Sequence, residues 1–365
     1  MTTFFMQNKL TIPKDESCAK VLPKLIKDAY QTHANSLDYE FKNISNNHFS
    51  YGLPSNIKFK FGKDWHEFEG TRFAMHQLCR KIGMPITFFE KLRGSRDEAL
   101  NNMCVSNING LLEHYNGDML VRTVGGCMRG VLSTRYRAFD SYKILDVFAD
   151  FVDNNKVWAA DNIAIRGFCN SMDVLHLRFT TLEPVKGLED KDLYYGMEIT
   201  SSDVGKYALQ VRFFIYKQIC TNGMCIGSFD RELYTQRHVG ITPERFREGL
   251  AACLNSFPKL TEEVTAIISS AGRRSLANSP LFNFNLYKDE NEPIRKALRN
   301  YLGLSDAAML QIASIARQNY APTLWGYGNA ITEYAQTCNL ERRKELETMA
   351  GKLMTNFDYL LKYAA

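Results

Sequence analysis

The sequence predicts an α+β fold, in which a central antiparallel β-sheet (a hairpin, a helix and a meander) has helices on one face and a helical C-terminal region. Three observations support this prediction. The middle of the chain, roughly residues 119–240, is rich in β-prone runs, and Gly125-Gly126 marks a two-residue hairpin turn within it. One helical pattern, Ser141–Asp153, interrupts these strands. From about Thr242 onward, apolar residues recur with helical spacing.

Size and composition indicate a globular protein with room for two domains. The chain has 365 residues, of which 45% are hydrophobic and 23% are charged, and its net charge is only +5. It lacks the long apolar run of a membrane helix and the pattern of a signal peptide, so we expect a cytoplasmic protein with no membrane partner. The expected divisions are 1–70 (an irregular and helical extension), 71–245 (the α+β core) and 246–365 (a helical region).

The N-terminal part of the chain gives a few local signals. A helix is predicted around Ala19–Tyr30, where Pro23 is tolerable only if it lies in the first turn. The strand Asn56–Phe61 alternates apolar residues with lysine. A helix follows, with Thr71 as its N-cap and Gly83 as its end.

The rest of the chain divides into strands and then helices. Pro243 fits the first turn of a helix, and helical patterns recur over Ala307–Ala316 and Leu340–Leu361 after a polar loop at Asn278–Asn291. The predicted strands of the middle are Met119–Val124, Cys127–Ser133, Asn162–Cys169, Asp173–Thr181, Tyr194–Ser201 and Tyr207–Cys220.

The hairpin is the most informative segment, because VRTVGGCMRGVLSTRYRAFD (121–140) carries four arginines, and its one acid, Asp140, comes only at its end. If the Gly-Gly turn closes tightly, Arg122 lies directly opposite Arg129. Like charges at opposed positions destabilise a sheet. A polyanion across this face would relieve the repulsion, and so would acidic side chains from elsewhere in the chain.

Further basic and aromatic residues fall on the predicted meander. Cations interleaved with aromatic rings suit single-stranded nucleic acid, because the cation holds a phosphate while the ring stacks a base. Alternatively, Phe214 and Tyr216 lie under the helices and Arg212 pairs at the rim. The candidate nucleic-acid-binding residues are Arg122, Arg129, Arg135, Arg137, Arg166, Arg178, Arg212, Phe214, Tyr216, Arg237 and His238.

Catalytic and metal-binding motifs are not found. The chain has no phosphate loop, dinucleotide fingerprint, HExxH motif or nucleophile elbow. Nine scattered cysteines favour buried thiols over disulfides, and Cys220 and Cys225 lack the further ligands of a zinc site. We therefore expect no cofactor, and binding is favoured over catalysis.

The order of the motifs resembles a phage- and plasmid-borne family known mainly as phage/plasmid-like proteins or as a domain of unknown function. The resemblance runs from TRFAMHQLCRKIGMP (71–85) through the hairpin, GMEITSSDVG (196–205), CTNGM (220–224) and RHVG (237–240) to LWGYGNAITEYAQ (324–336) and LETMAG (346–351). Ser201-Ser202-Asp203 departs from the Asn-Ser-Glu common in relatives. This resemblance implies a mobile-element setting, such as replication, recombination or conflict with the host.

A looser analogy, at the level of the fold only, is with phage single-strand annealing proteins such as the RecT and Rad-type families. It implies a homo-oligomer that holds single-stranded nucleic acid without ATP. The first hypothesis is therefore single-strand binding or annealing. A phage protein that binds and modulates a host defence or regulatory protein is the second hypothesis, and a nuclease with an unfamiliar site is the third.

Overall fold

The computed structural model of the protein describes residues 16–44, 49–52, 56–93, 95–156, 158–186, 188, 192–217, 222–224, 233–279, 281–282 and 292–364. Its helices are α1 (Cys18–Ala34), α2 (Arg72–Ile82), α3 (Ile86–Arg93), α4 (Glu98–Glu113), α5 (Ser141–Asp153), α6 (Pro243–Arg273), α7 (Glu292–Leu302), α8 (Asp306–Asn319), α9 (Leu324–Ala335) and α10 (Leu340–Ala364). Its strands are β1 (Ser36–Phe41), β2 (Phe49–Tyr51), β3 (Asn56–Phe61), β4 (Asp64–Gly70), β5 (Met119–Val124), β6 (Cys127–Leu132), β7 (Ile163–Asn170), β8 (Leu175–Thr181), β9 (Leu193–Ser201), β10 (Leu209–Lys217), β11 (Asn222–Met224) and β12 (Tyr234–Gln236).

These strands form two sheets within the described ranges. The first sheet has the order β1-β5-β6-β4-β3-β2, with β4 and β6 parallel and the other pairs antiparallel. The second sheet has the order β11-β10-β9-β8-β7, all antiparallel, and β12 also pairs with β10. The hairpin β5–β6 and the meander β7–β10 therefore lie in different sheets, although the sequence predicted one.

Helices cover both sheets. Helices α2, α3 and α4 share a hydrophobic core with the first sheet. Helices α1, α5 and α6 pack on the inner face of the second sheet, the face that carries Leu177, Phe179 and Val211. Helices α7 to α10 build a further core with the C-terminal half of α6 and the end of β10. An α+β fold with a helical C-terminal region is therefore confirmed.

Local sequence signals predicted both ends of α2 correctly. The hydroxyl oxygen of Thr71 accepts a hydrogen bond from the backbone N–H of Ala74, and Gly83 ends α2 with a left-handed φ of 77°. The expectation for Pro23 is wrong, because it lies inside α1 beyond the first turn. Proline removes one backbone hydrogen bond there, and the buried apolar face of α1 against α5 offsets that loss.

Among the described residues, no helix has both the length and the apolar character required to cross a membrane.

Candidate nucleic-acid interface

The hairpin turns at the predicted glycines but does not oppose its arginines. Gly125 and Gly126 adopt φ values of 49° and 81°, and Thr123 pairs with Met128 as expected. A register shift follows, so that Arg122 pairs with Gly130. The predicted opposition of Arg122 and Arg129 is therefore wrong. An irregularity of this kind redirects a side chain, and both guanidinium groups lead into the same buried cluster.

That cluster, here called the aspartate clasp, consists of the buried residues Arg122, Arg129, Asp140 and Asp203 together with Asp38, which is exposed. Arg122 is only 1% exposed and donates to Asp38 Oδ1 at 2.9 Å, to Asp140 Oδ1 at 2.6 Å and to the backbone oxygen of Asp203 at 2.7 Å. The guanidinium of Arg129 binds both carboxylate oxygens of Asp203. Aspartates thus neutralise Arg122 and Arg129, two of the four arginines of the segment, which was the alternative to a polyanion; Asp38 and Asp203 come from elsewhere in the chain.

The charges of the clasp reinforce one another. Burial alone would lower the pKa of Arg122, but the facing aspartates outweigh it and raise that pKa. Burial would raise the pKa of Asp140, and Arg122 holds it below its ordinary value. Because Asp38 comes from β1, Asp140 precedes α5 and Asp203 follows β9, the clasp joins the two sheets. Its arginines are engaged in holding the fold.

His238 lies beside the clasp and is 4% exposed. Its Nε2 is 3.2 Å from the hydroxyl oxygen of Ser201, and its ring stacks on Tyr136 with 5.2 Å between centroids. Burial lowers the pKa of His238 to about 4, against the opposing effect of Asp203. At neutral pH the ring is therefore uncharged and buried, which suits a structural support.

A second cluster, here called the outer-face cluster, lies between the second sheet and α10, where three members are buried and two, Arg343 and Lys344, are partly buried. It consists of Arg178, Glu198, Arg343, Lys344 and Glu347. Arg178 Nε donates to Glu198 Oε2 at 2.7 Å, and its other nitrogens bind both oxygens of Glu347. Arg343 Nε also donates to Glu347, at 2.8 Å. This cluster fixes α10 on the sheet.

Lys344 is the member of this cluster that lines a groove. Its Nζ lies 2.6 Å from the hydroxyl of Thr200 and 3.1 Å from Glu198 Oε1. Burial lowers the pKa of Lys344, and repulsion from Arg178 and Arg212 adds to the effect although Glu198 opposes it. A buried charge with a shifted pKa beside a cavity is a recognised mark of a functional site.

The groove has a volume of about 630 Å³. Strands β9 and β10 form one side of it, and α7 and α10 form the other. The hydroxyl of Tyr301 is buried there and finds no hydrogen-bond partner among the described residues. The side chains that line it are Thr200, Tyr207, Gln210, Arg212, Tyr301, Glu341, Lys344, Glu345, Thr348, Met349 and Lys352.

The aromatic candidates of β10 are covered. Phe214 is fully buried, and the guanidinium of Arg178 lies 5.2 Å from its ring centre. Tyr216 is 5% exposed, and the guanidinium of Arg166 lies 5.1 Å from its ring centre. Arg166 also donates to Thr180 Oγ1 at 2.9 Å. Phe214 and Tyr216 therefore lie beneath other side chains, as in the alternative interpretation.

Three candidates remain exposed and form what we call the arginine surface: Arg135, Arg137 and Arg237. The backbone N–H of Arg137 donates to the carbonyl of His238 at 3.1 Å, which places the two segments side by side. The hydroxyl of Tyr136 donates to the carbonyl of Ser202 at 2.8 Å and fixes the loop. Within the described part of the chain, none of these three guanidinium groups has an ion pair.

Sequence patterns did not identify the residues of the C-terminal helices that take part in the outer-face cluster or line the groove. Glu347 is fully buried in the apolar stripe that Leu346, Ala350 and Met354 define on α10. A charged residue within such a stripe was the one available signal for a buried ion pair. Nothing comparable marked Tyr301 or Lys352. Cys220 and Cys225 lie outside the described residues.

One protein-family comparison gives a match. The family described as "Domain of unknown function (DUF932)" matches residues 129–355, which is more than half of the chain. No curated protein and no solved structure matches the chain significantly.

Proposed function

The chain belongs to the DUF932 family, whose description assigns no activity, and we propose that it binds single-stranded nucleic acid through the arginine surface without covalent chemistry. The observation that supports this proposal is the arrangement of Arg135, Arg137 and Arg237. They are exposed, they lie on adjacent segments and they have no ion pair with described residues. Guanidinium groups in this state are available to phosphates, which dominate the affinity of proteins for nucleic acids.

The buried arginines have a supporting role in this proposal. Arg122 and Arg129 are bound by buried aspartates and tie the hairpin to the rest of the fold, so they are not available to a ligand. Tyr136 and His238 connect the two exposed segments. Because these contacts fix the two segments, binding has to order the three arginine side chains but not the loops that carry them. The mobile-element setting, the cytoplasmic location and a homo-oligomeric state belong to the same proposal, and the motif resemblance supports the first of them.

The test is fluorescence anisotropy with a labelled single-stranded oligonucleotide over a series of salt concentrations, beside a duplex of equal length. We expect binding to weaken steeply with salt and to favour the single strand. The double variant Arg137→Glu with Arg237→Glu should bind at least about tenfold more weakly and with a shallower salt dependence.

Arg80→Glu is the matched control, because Arg80 is an exposed arginine on α2, in the layer that covers the first sheet. This variant should bind like the unaltered protein. Unchanged binding by the double variant would contradict the proposal. Absence of binding even at low salt would also contradict it and would direct attention to an acidic protein partner.

A further inference from the structure

A fourth arginine lies beside the arginine surface, in the first turn of α6. Arg245 is exposed, and its Nη1 donates a hydrogen bond to the backbone oxygen of Gly240 at 2.8 Å. Gly240 follows His238 by two residues, and the carbonyl of His238 accepts a hydrogen bond from the backbone N–H of Arg137. Arg245 therefore holds its guanidinium against the segment that carries Arg237.

The charge of Arg245 is not neutralised within the described part of the chain. A backbone carbonyl holds its guanidinium, which has no ion pair with any described residue and keeps further N–H donors for a ligand. Glu244 is engaged at the start of its own helix, where its backbone N–H and the hydroxyl of Thr242 lower the pKa of its carboxylate. Arg247 differs from Arg245, because Asp150 binds it at 3.0 Å. A fourth available cation thus joins the three of the arginine surface.

One apolar side chain lies among these cations. Arg237 and Val239 are exposed, whereas His238 between them is buried. Val239 is 65% exposed, which is the largest fraction among the described large hydrophobic residues. A single exposed valine is ordinary on a protein surface, but this one lies in sequence between Arg237 and the glycine that holds Arg245. A ligand of this surface therefore meets an apolar contact together with the cations.

This combination distinguishes an unpaired strand from a duplex. Both forms present phosphates, whose contacts with arginine give affinity without reading the bases. A duplex keeps its bases stacked and paired, whereas a single strand exposes apolar base faces that can pack against a side chain. Cations alone would bind both forms, so the apolar contact is the one that gives a preference for the single strand.

We propose that Arg245 is a fourth phosphate contact and that Val239 packs against a base of an unpaired strand, which makes Val239 the source of the preference for single strands. This inference rests on the function proposed above and adds two residues to its site. The two contacts differ in kind, because the first depends on salt and the second depends on the presence of a base.

Fluorescence anisotropy over a series of salt concentrations tests both residues with three labelled ligands of equal length. The ligands are a single strand, a duplex and an abasic single strand, which keeps the phosphates but lacks the bases. Arg245→Gln should weaken the binding of all three about fivefold and reduce the salt slope by about one. Val239→Ser should weaken the binding of the base-bearing single strand about fivefold at an unchanged salt slope, and it should leave the other two ligands unaffected.

Two control variants match these substitutions. Arg247→Gln removes an arginine of the same helix that is paired with Asp150, and Leu37→Ser alters a 59% exposed leucine on β1. Both should bind the three ligands like the unaltered protein. Because all four substituted side chains are exposed, the fold should be retained, and far-UV circular dichroism checks this.

The outcomes separate this inference from the function on which it rests. Single-strand binding that the double variant Arg137→Glu with Arg237→Glu weakens, but that neither Arg245→Gln nor Val239→Ser changes, would overturn the inference alone. Equal loss of the base-bearing and the abasic strand in Val239→Ser would overturn the base contact. No binding of any ligand by the unaltered protein would overturn both the inference and the proposed function.

Discussion

Asp203 is the single residue on which both buried guanidinium groups of the clasp depend. Its carboxylate contacts Arg122 Nη1 at 3.2 Å and binds Arg129 through both oxygens, and its backbone oxygen accepts from Arg122 as well. Because all three side chains are buried, solvent cannot replace a lost contact. A buried pair of this kind contributes little over a well-packed apolar substitute, but the loss of one partner alone is costly.

Asp203→Asn should therefore lower the free energy of unfolding by about 3 kcal/mol or more. The substitution keeps the shape of the side chain and removes its charge, so Arg129 loses its carboxylate partner while Arg122 keeps Asp38 and Asp140. Urea unfolding followed by circular dichroism gives the measurement. Asp150→Asn is the control, because the pair of Asp150 with Arg247 is exposed and should be worth less than about 1 kcal/mol. Equal effects of the two substitutions would show that the clasp does not stabilise the protein.

At the scale of elements, two helical glycines have opposite effects on stability: one is required by a close backbone contact, and the other only weakens its helix. Gly326 lies in the first turn of α9, where its N–H donates to Thr323 Oγ1 at 3.1 Å, and a Cβ atom there would lie 2.1 Å from the backbone oxygen of Ala321. Gly110 lies in α4, where a Cβ atom would meet nothing within 4 Å. The first glycine permits a close approach of two backbones, and the second only weakens its helix.

Gly326→Ala should destabilise the protein by about 1–3 kcal/mol, because the backbone of Ala321 must move. Gly110→Ala should instead stabilise it by about 0.5–1 kcal/mol, because alanine is the better helix former and space is available. Thermal unfolding of both variants beside the unaltered protein checks the pair. Stabilisation by Gly326→Ala would mean that α9 does not approach the preceding loop as closely as described.

At the scale of the whole molecule, local patterns predicted elements but not how distant residues meet. The cap at Thr71, the end of α2 at Gly83 and the hairpin turn depend on a few neighbouring residues, and the sequence predicted each of them correctly. The partners of Arg122 are different, since Asp38 precedes it by 84 residues. The register shift beside Arg122 has no sequence signal, and it decides where that side chain points.

The same limit explains why the sequence could not predict the arginine surface or the groove. Arg135, Arg137 and Arg237 could be singled out by charge, but their exposure and adjacency depend on a backbone contact between segments far apart in sequence. The groove could not be predicted, because Lys344 and Lys352 come from a helix that the sequence describes only by its periodicity. Whether a cation is saturated or available is a property of the whole fold.

Glu347 gives a prediction for how the C-terminal region is joined to the rest of the molecule. Its carboxylate is fully buried and links Arg178, 169 residues away on β8, to Arg343 of its own helix. Glu347→Gln leaves those cations undercompensated, so we expect amide hydrogen exchange in α10 and β8 to accelerate about a hundredfold. Helices α2 to α4, which pack on the first sheet, should exchange at their original rates.

The control is Glu345→Gln, on the same helix as Glu347, because Glu345 pairs among the described residues with Arg342 at the surface; this substitution should change little. Acceleration confined to α10 and β8 would identify them as one opening unit, whereas equal acceleration in α2 to α4 would mean that the two layers open together and would contradict the prediction.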